Sequence, residues 1–260
     1  MAAEWGIRVV PLHVLIGGTD LRDGVDEMPA DLYQRPQVTT AGASPAELAA
    51  AYRAALTESG GDGVVAVHLS SELSSTLGAA EHAAQEYGGL VRVVDSRSAG
   101  MGTGFVALAA ARAARSGADL EDVVAQARTA VGRVRALIVV QRLENLRRSG
   151  RIGTATSWLG TALALKPLLQ MDDGTLVLAQ RVRTTSKAVA AMVEQVLELV
   201  GEKRAELAVQ HVDNLAGATD LAATLAGALP GCGAPVVTDL GPVLGVHLGP
   251  GALGVVVSTA

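Results

Sequence analysis

The chain has 260 residues, of which 49% are hydrophobic and only 2% aromatic, and its formal net charge is -5 at pH 7. This length suffices for two domains of modest size, and a core poor in aromatics must be filled by Ala, Val and Leu, which favours helices packed on Val-rich strands. The acidic balance gives no reason to expect a nucleic-acid partner, and the single cysteine, Cys232, excludes an internal disulfide and a cysteine-based metal cluster.

The same composition predicts a soluble, cytoplasmic protein without integral membrane association. Lys166 interrupts the apolar stretch from Trp158 to Leu169 before it reaches the roughly 18 residues that a membrane span needs. No basic segment followed by an apolar one opens the chain, so no secretory signal is visible. A lone thiol fits a reducing compartment.

In chain order, the first predicted element is a strand from Gly6 to Ile16. A polar loop follows, and then a helix with Ser44 as its N-cap and Pro45 at its first position. The next predicted elements are a strand over Gly63 to Leu69, a helix after Ser74, a strand over Val91 to Asp95, two Ala-rich helices between Gly104 and Val134, and a strand over Ala136 to Val140. Apolar strands that alternate with helices predict a parallel sheet covered on both faces.

The pattern changes after Lys166. Asp172-Asp173-Gly174 separates two apolar stretches, which predicts a β-hairpin over Leu168 to Arg183. Two further pairs of strand and helix follow, and the chain finishes with a segment rich in Gly and Val. The sequence therefore predicts an α/β fold with an N-terminal α/β domain over 1–140, a helical connector over 141–165 and a C-terminal α+β domain over 166–260.

A hydroxyl-rich loop between a strand and a helix is the first candidate site. Free backbone N–H groups and the helix dipole favour anions at such a junction. Ordinary N-capping is the alternative, but capping needs only one hydroxyl. The side chains that can add donors here are Ser70, Ser71, Ser74, Ser75 and Thr76.

Three other segments carry polar groups of interest. Thr40 lies in a small-residue loop before a helix, where plain loop chemistry is the alternative. His247 is embedded among glycines and a proline, where backbone can approach a ligand closely; a satisfied core histidine in a glycine-lined turn is the alternative. Arg181 and Arg183 share a face of the predicted strand. They can form a cationic strip there, or they can simply be solvated side chains of an edge strand.

Taken in order, these segments resemble the DegV family of acyl-binding proteins, which includes the fatty-acid-binding subunits of bacterial fatty acid kinase. The resemblance covers nearly the whole chain. Its segments are VVPLHVLIGG with Asp23 to Asp26, Thr40 to Pro45, the serine loop 70–76, Val94-Asp95-Ser96, Leu143 to Gly153, Ala164 to Pro167, Arg183 to Lys187, and His247 to Gly254.

The resemblance implies a two-domain fold with a long-chain fatty acid in a tunnel between the domains, and a separate ATP-dependent kinase that phosphorylates the carboxylate. It implies that Thr40 and Ser74 hydrogen-bond the carboxylate, that His247 lies beside the head group, and that Arg183 lies near the mouth and faces the kinase. No cofactor, metal or catalytic residue of the chain's own is expected, because it has neither a phosphate-binding loop with Lys nor a metal-binding carboxylate cluster.

The chain also departs from the family pattern. Ala41, Gly42 and Ala43 replace Ser-Gln-Pro, Ser75 stands where Gly is usual, and Leu77 replaces Tyr, so the head-group geometry is expected to differ. The family's opening strand and its Asp-Ser-Thr loop have no counterpart, so either the start codon is misassigned or the N-terminal sheet lacks its first strand.

Two other classes of function stay open. A serine hydrolase can use Ser74 with His247 and an acid such as Asp239, although the chain has no Gly-x-Ser-x-Gly elbow. A non-catalytic scaffold or regulatory module is the other alternative, and it predicts a protein that carries no lipid.

Overall fold

A computed structural model describes residues 1–35, 37–152 and 166–260. The last part of the predicted connector, 153–165, lies outside the described residues. The strands are β1 (His13–Ile16), β2 (Thr19–Arg22), β3 (Thr39–Ala41), β4 (Val64–His68), β5 (Val91–Asp95), β6 (Val134–Val139), β7 (Lys166–Asp172), β8 (Thr175–Val182), β9 (Ala205–His211), β10 (Val236–Asp239) and β11 (Leu253–Thr259). The α-helices are α1 (Pro45–Glu58), α2 (Thr76–Ala84), α3 (Met101–Arg115), α4 (Leu120–Arg133), α5 (Glu144–Ser149), α6 (Thr185–Val200), α7 (Leu215–Ala228) and α8 (Gly241–Leu248).

The described strands form three sheets. A six-stranded sheet has the order β10-β9-β11-β6-β7-β8, in which β10 and β9 are parallel and the other neighbours antiparallel. β4 and β5 form a parallel pair, and β2-β1-β3 is a small antiparallel sheet. The α/β fold class is thereby confirmed. Within the described ranges, no helix is long and apolar enough to cross a membrane.

The six-stranded sheet is buried on both faces, by different helices. Side chains alternate between the faces along each strand. One face, which includes Leu137, Val209 and Val255, packs on α6 and α7. The opposite face packs on α3 and α4 through residues such as Ala208 and Val256. Farther along that second face, Leu169 and Leu176 of the sheet pack with Leu146 of α5 and Leu248 of α8, and a cavity opens over the sheet beside α8.

The predicted first strand is too long. Only His13–Ile16 forms a strand, and it pairs antiparallel with β2 and β3 rather than joining a parallel sheet. Pro11 lacks the N–H that a strand ladder requires, and Val9 is 68% exposed, so the segment before His13 does not continue the strand. Ile7, Val10 and Leu12 are instead partly buried against three different core clusters.

β6 also has different partners from those predicted. It pairs antiparallel with β11 and β7, so the strand before residue 140 belongs to the sheet built by the C-terminal half. The apolar side chains of β6 pack against helices on both faces of the sheet. This pattern does not indicate whether a neighbouring strand is parallel or antiparallel. In the described N-terminal part only β4 and β5 pair in parallel. The division into domains at 140 and 166 stays a prediction.

Other local predictions are confirmed. Ser44 caps α1 in a full capping box with Glu47, and Pro45 takes the first helical position. The hairpin of β7 and β8 turns at Asp173 and Gly174, which both have positive φ, as the Asp-Gly pair indicated.

A buried hydroxyl joins the serine loop to this hairpin. Ser70 is fully buried, and its Oγ donates to the carbonyl oxygen of Gly174 at 2.7 Å. Gly174 has a φ of 84° and no room for a Cβ, because Ser70 Oγ would lie 2.5 Å from it. The loop before α2 is thus fixed against the C-terminal sheet.

We predict that Ser70→Ala lowers the free energy of unfolding by about 1–3 kcal/mol, because it leaves a buried carbonyl without its donor. Ser71→Ala in the same loop is the matched control, since Ser71 is exposed and its Oγ bonds only Asp95; we expect a change within about 0.5 kcal/mol. Urea unfolding of the two variants measures this difference. Equal losses would contradict the structural role of Ser70.

Candidate functional site

A cavity of about 360 Å³ lies on the second face of the six-stranded sheet. This volume is within the range of cavities that hold small ligands. Most of its wall is apolar. The residues that line it are Leu12, Thr40, Ala41, Gly42, Leu69, Leu73, Ser74, Ser75, Ala99, Ala136, Leu137, Ile138, Leu146, Arg151, Met171, Leu176, Gln210, Leu240, Val243, Leu244, His247, Leu248, Gly254 and Val256.

The sheet supplies the floor of the cavity. Ile138, Gly254 and Gln210 lie side by side on β6, β11 and β9 in register. A Cβ at Gly254 would lie 3.2 Å from the carbonyl oxygen of Leu137 and close to the Ile138 side chain. Because residue 254 is glycine, no side chain projects from the sheet into the cavity at this position. A missing side chain in the centre of the sheet leaves space that a ligand can fill.

The N-terminal half supplies two hydroxyl groups to the wall. Thr40 is on β3, and Ser74 lies just before α2. Ser74 Oγ lies 2.8 Å from Thr76 Oγ1 and accepts a hydrogen bond from the Thr76 N–H at 3.2 Å. A Cβ at Gly42 would overlap Thr76 Oγ1, so this glycine allows β3 to pack directly against the start of α2. The close packing brings both hydroxyls to one wall.

The C-terminal half supplies the imidazole of His247 from α8. Thr40 Oγ1 and His247 Nε2 are 2.8 Å apart, a hydrogen bond that crosses from one half of the chain to the other. α8 packs closely against Tyr33 because residue 245 is glycine; a Cβ at that position would overlap the Tyr33 ring. The structure therefore brings Thr40, Ser74 and His247 together on one cavity. Their role toward a carboxylate, which the family resemblance implies, stays a prediction.

His247 is a neutral group in the unliganded protein. Burial, followed by the positive charges of Arg151 and Arg148, lowers the pKa of His247 to about 4. Its Nδ1 atom is buried and, among the described residues, has no hydrogen-bond partner. A neutral imidazole donates from one nitrogen only, so the tautomer of His247 decides whether Thr40 Oγ1 accepts this hydrogen bond or donates it.

Arg151 is a residue of the cavity that sequence reasoning did not single out. Its Nε donates to the carbonyl oxygen of Leu73 at 3.3 Å, and a second guanidinium nitrogen bonds the carbonyl oxygen of Ser149. The guanidinium thus ties the end of α5 to the serine loop and places a positive charge on the cavity wall. The signal in the sequence is the short basic cluster from Arg142 to Arg151, which suits a local anion or partner patch but does not distinguish Arg151 from its neighbours.

Arg183 does not line the cavity. It is exposed and stands directly before Thr184, the N-cap of α6. Ser70 and Ser71 of the serine loop are likewise used elsewhere, since Ser70 bonds Gly174 and Ser71 bonds Asp95. Only part of the hydroxyl-rich loop therefore faces the candidate site.

The arrangement lacks the hydrogen bonds of a serine hydrolase. Ser74 bonds Thr76, and His247 bonds Thr40. Asp239 lies 3.3 Å from His211 Nδ1 and accepts from the Gly241 N–H at 2.7 Å. In the part of the chain that the structure describes, no hydrogen bond links serine, histidine and aspartate into a relay.

Comparisons with known proteins agree along the full length. A family model described as an uncharacterised protein of the DegV family matches residues 1–260. A DegV domain-containing protein of Mycobacterium tuberculosis is 60% identical over 254 residues, which are 98% of this chain and 90% of the relative. A DegV family protein from Thermus thermophilus, solved for its fatty acid binding, is 34% identical with a TM-score of 0.88 and covers 100% of this chain and 94% of its own. DegV from Bacillus subtilis, a fatty acid binding protein, is 28% identical with a TM-score of 0.89 at the same coverage.

We predict that NMR titration of the unliganded protein gives His247 a pKa near 4. Above pH 6.5 the side chain is neutral in both the folded and the unfolded state; as pH falls toward 4 the unfolded state binds the proton first, so the native state loses stability. His247→Gln identifies the signal and should flatten this loss.

The charge of Arg151 gives a matched pair of variants. Arg151→Gln should raise the pKa of His247, because one of the two positive charges that oppose its protonation is removed. Arg183→Gln should leave the pKa of His247 unchanged. A His247 pKa that does not respond to Arg151→Gln would contradict this electrostatic account.

Proposed function

The chain belongs to the DegV family, and on that premise we propose that it binds a long-chain fatty acid in this cavity and presents the carboxylate to a separate kinase. The observation that carries the proposal is the 2.8 Å hydrogen bond between Thr40 and His247 on the wall of a largely apolar cavity. Relatives of the same fold from Thermus thermophilus and Bacillus subtilis that bind fatty acids support it.

The acyl tail supplies most of the affinity. Burial contributes roughly 0.8 kcal/mol per methylene, so a chain of about 16 carbons gains on the order of 10 kcal/mol before ordering costs. Leu, Ile, Val and Ala side chains from both halves provide the apolar wall that this gain requires. The burial of apolar surface, rather than specific hydrogen bonds, therefore holds the tail in the cavity.

The head group needs donors, because an ionised carboxylate buried without partners costs several kcal/mol. Thr40 and Ser74 can each donate one hydroxyl proton to it. If His247 Nε2–H donates to Thr40 Oγ1, the threonine proton is free to point to the ligand. Arg151 adds a positive charge on the same wall. These contacts orient the carboxylate without a covalent bond.

The chemistry belongs to the partner in this proposal. The chain acts as a lipid-binding subunit, and a separate ATP-dependent fatty acid kinase forms the acyl phosphate with its own nucleotide and metal. The exposed Arg183 at the end of the hairpin faces that kinase. Because the partner uses ATP, we place the protein in the cytoplasm, in agreement with its lone thiol.

We predict that Thr40→Val and Ser74→Ala each weaken the binding of hexadecanoate roughly tenfold, because each removes one hydrogen bond to a charged group. The methyl ester of the same acid is the control: it lacks the charge, so the two substitutions should change its affinity much less. Displacement of a fluorescent fatty acid measures both ligands. Equal effects on acid and ester would contradict the assigned head-group site.

Native mass spectrometry of the purified protein separates this proposal from a regulatory module. The proposal expects acids of about 14 to 18 carbons to copurify, bound through the apolar wall. A protein that carries no lipid and takes up none when it is offered would support the module instead.

We predict that Arg183→Ala lowers acyl phosphate formation by a bacterial fatty acid kinase while the bound lipid stays unchanged, because Arg183 is exposed and outside the cavity. Arg133→Ala, another exposed arginine at the end of α4, is the control. Full activity of Arg183→Ala would exclude a role of Arg183 toward the kinase. If lipid-loaded wild-type protein yields no acyl phosphate, the proposal that it presents its fatty acid to such a kinase is excluded.

A further inference from the structure

Gln210 is a polar side chain in an apolar part of the cavity. It lies on β9, is only 4% exposed and contributes to the cavity wall. Gly254 stands opposite it on β11, and Leu240 lies beside it. Neither the head group nor any other part of the proposed function uses this amide.

The orientation of the amide is fixed by one hydrogen bond. The backbone N–H of Met101, at the start of α3, donates to Gln210 Oε1 at 3.0 Å. Because that N–H requires an acceptor, the oxygen must face Met101 and the NH2 group must face away. No hydrogen bond from Nε2 to a described residue accompanies this one, and Nε2 is not among the fully buried atoms that lack a partner, so it keeps some accessible surface.

A buried donor of this kind requires an acceptor. Gln210 is only 4% exposed, and the cavity is the space that it lines. The acceptor is therefore a group inside the cavity, supplied by water in the empty protein and by an oxygen of the ligand when one is bound.

The place of Gln210 along the ligand follows from α8. A Cβ at Gly100 would lie 2.7 Å from Gln210 Oε1 and 3.1 Å from Leu240, so Gln210 and Leu240 meet at the start of that helix. His247 lies near the other end. At a rise of about 1.5 Å per residue, the helix separates Leu240 from His247 by about 10 Å. A long acyl chain with its carboxylate at His247 passes Gln210 near its middle.

We propose, building on the proposed function, that Gln210 is a second recognition point whose Nε2 donates a hydrogen bond to an oxygen in the middle of the acyl chain. The cavity then favours fatty acids with a mid-chain hydroxyl or oxo group over the unsubstituted acids. A hydroxyl that leaves water for an apolar wall loses affinity unless it is bonded again, and a site with a waiting donor discriminates against the ligand that lacks the oxygen.

The test compares octadecanoic acid with 10-hydroxyoctadecanoic acid in the same displacement assay. Wild-type protein should bind the hydroxy acid more tightly. Gln210→Leu should lower the ratio of the two affinities tenfold or more. The ratio is the readout because loss of the Met101 bond affects both ligands alike. Glu206→Gln, an exposed change on the same strand and outside the cavity, should leave the ratio unchanged.

Two further measurements keep the outcomes distinct. Gln210→Met preserves the length of the side chain without its donor and should repeat the result if Gln210→Leu fails to fold. 2-Hydroxyoctadecanoic acid places the oxygen beside the carboxylate and should be insensitive to Gln210. A ratio that does not respond to loss of the amide, or a wild-type protein that disfavours the mid-chain hydroxyl, overturns the inference alone. Failure of wild-type protein to bind either acid overturns the proposed function as well.

Discussion

The hydrogen bond between Thr40 and His247 joins the two halves of the chain across the cavity, and the site depends on it. Thr40 comes from a short antiparallel sheet near the N-terminus, and His247 from a helix that packs over the C-terminal sheet. Glycines at 42 and 245 allow the close approach on each side. The polar end of the cavity is therefore a product of the contact between the halves.

Much of the local structure could be predicted from the sequence. Capping at Ser44 and the Asp173-Gly174 turn are decided by neighbouring residues, and both are confirmed. The partners of β6 could not be predicted, because an apolar strand buried on both faces has no pattern that distinguishes a parallel from an antiparallel neighbour. Contacts between distant segments decide that pairing.

The same limit applies to the site. Thr40, Ser74 and His247 were predicted from a family resemblance, and the structure places all three on one cavity. Arg151 and Gln210 were missed because one lies in a basic cluster and the other in an apolar strand, and neither setting indicates a cavity. The groups of Thr40, Ser74 and His247 that line the polar end of the cavity are two hydroxyls and a neutral imidazole, and none of the three carries a charge. In the proposed function, such donors hold the carboxylate and leave its oxygens available to a phosphoryl donor.

A crystal structure of the protein with hexadecanoate tests the central claim most directly. The account predicts that the carboxylate lies within hydrogen-bond distance of Thr40 Oγ1 and Ser74 Oγ, with His247 behind Thr40 and the tail over Gly254 and Val256. A fatty acid bound outside this cavity, or with its carboxylate beside Gln210 instead of at Thr40 and Ser74, would contradict it.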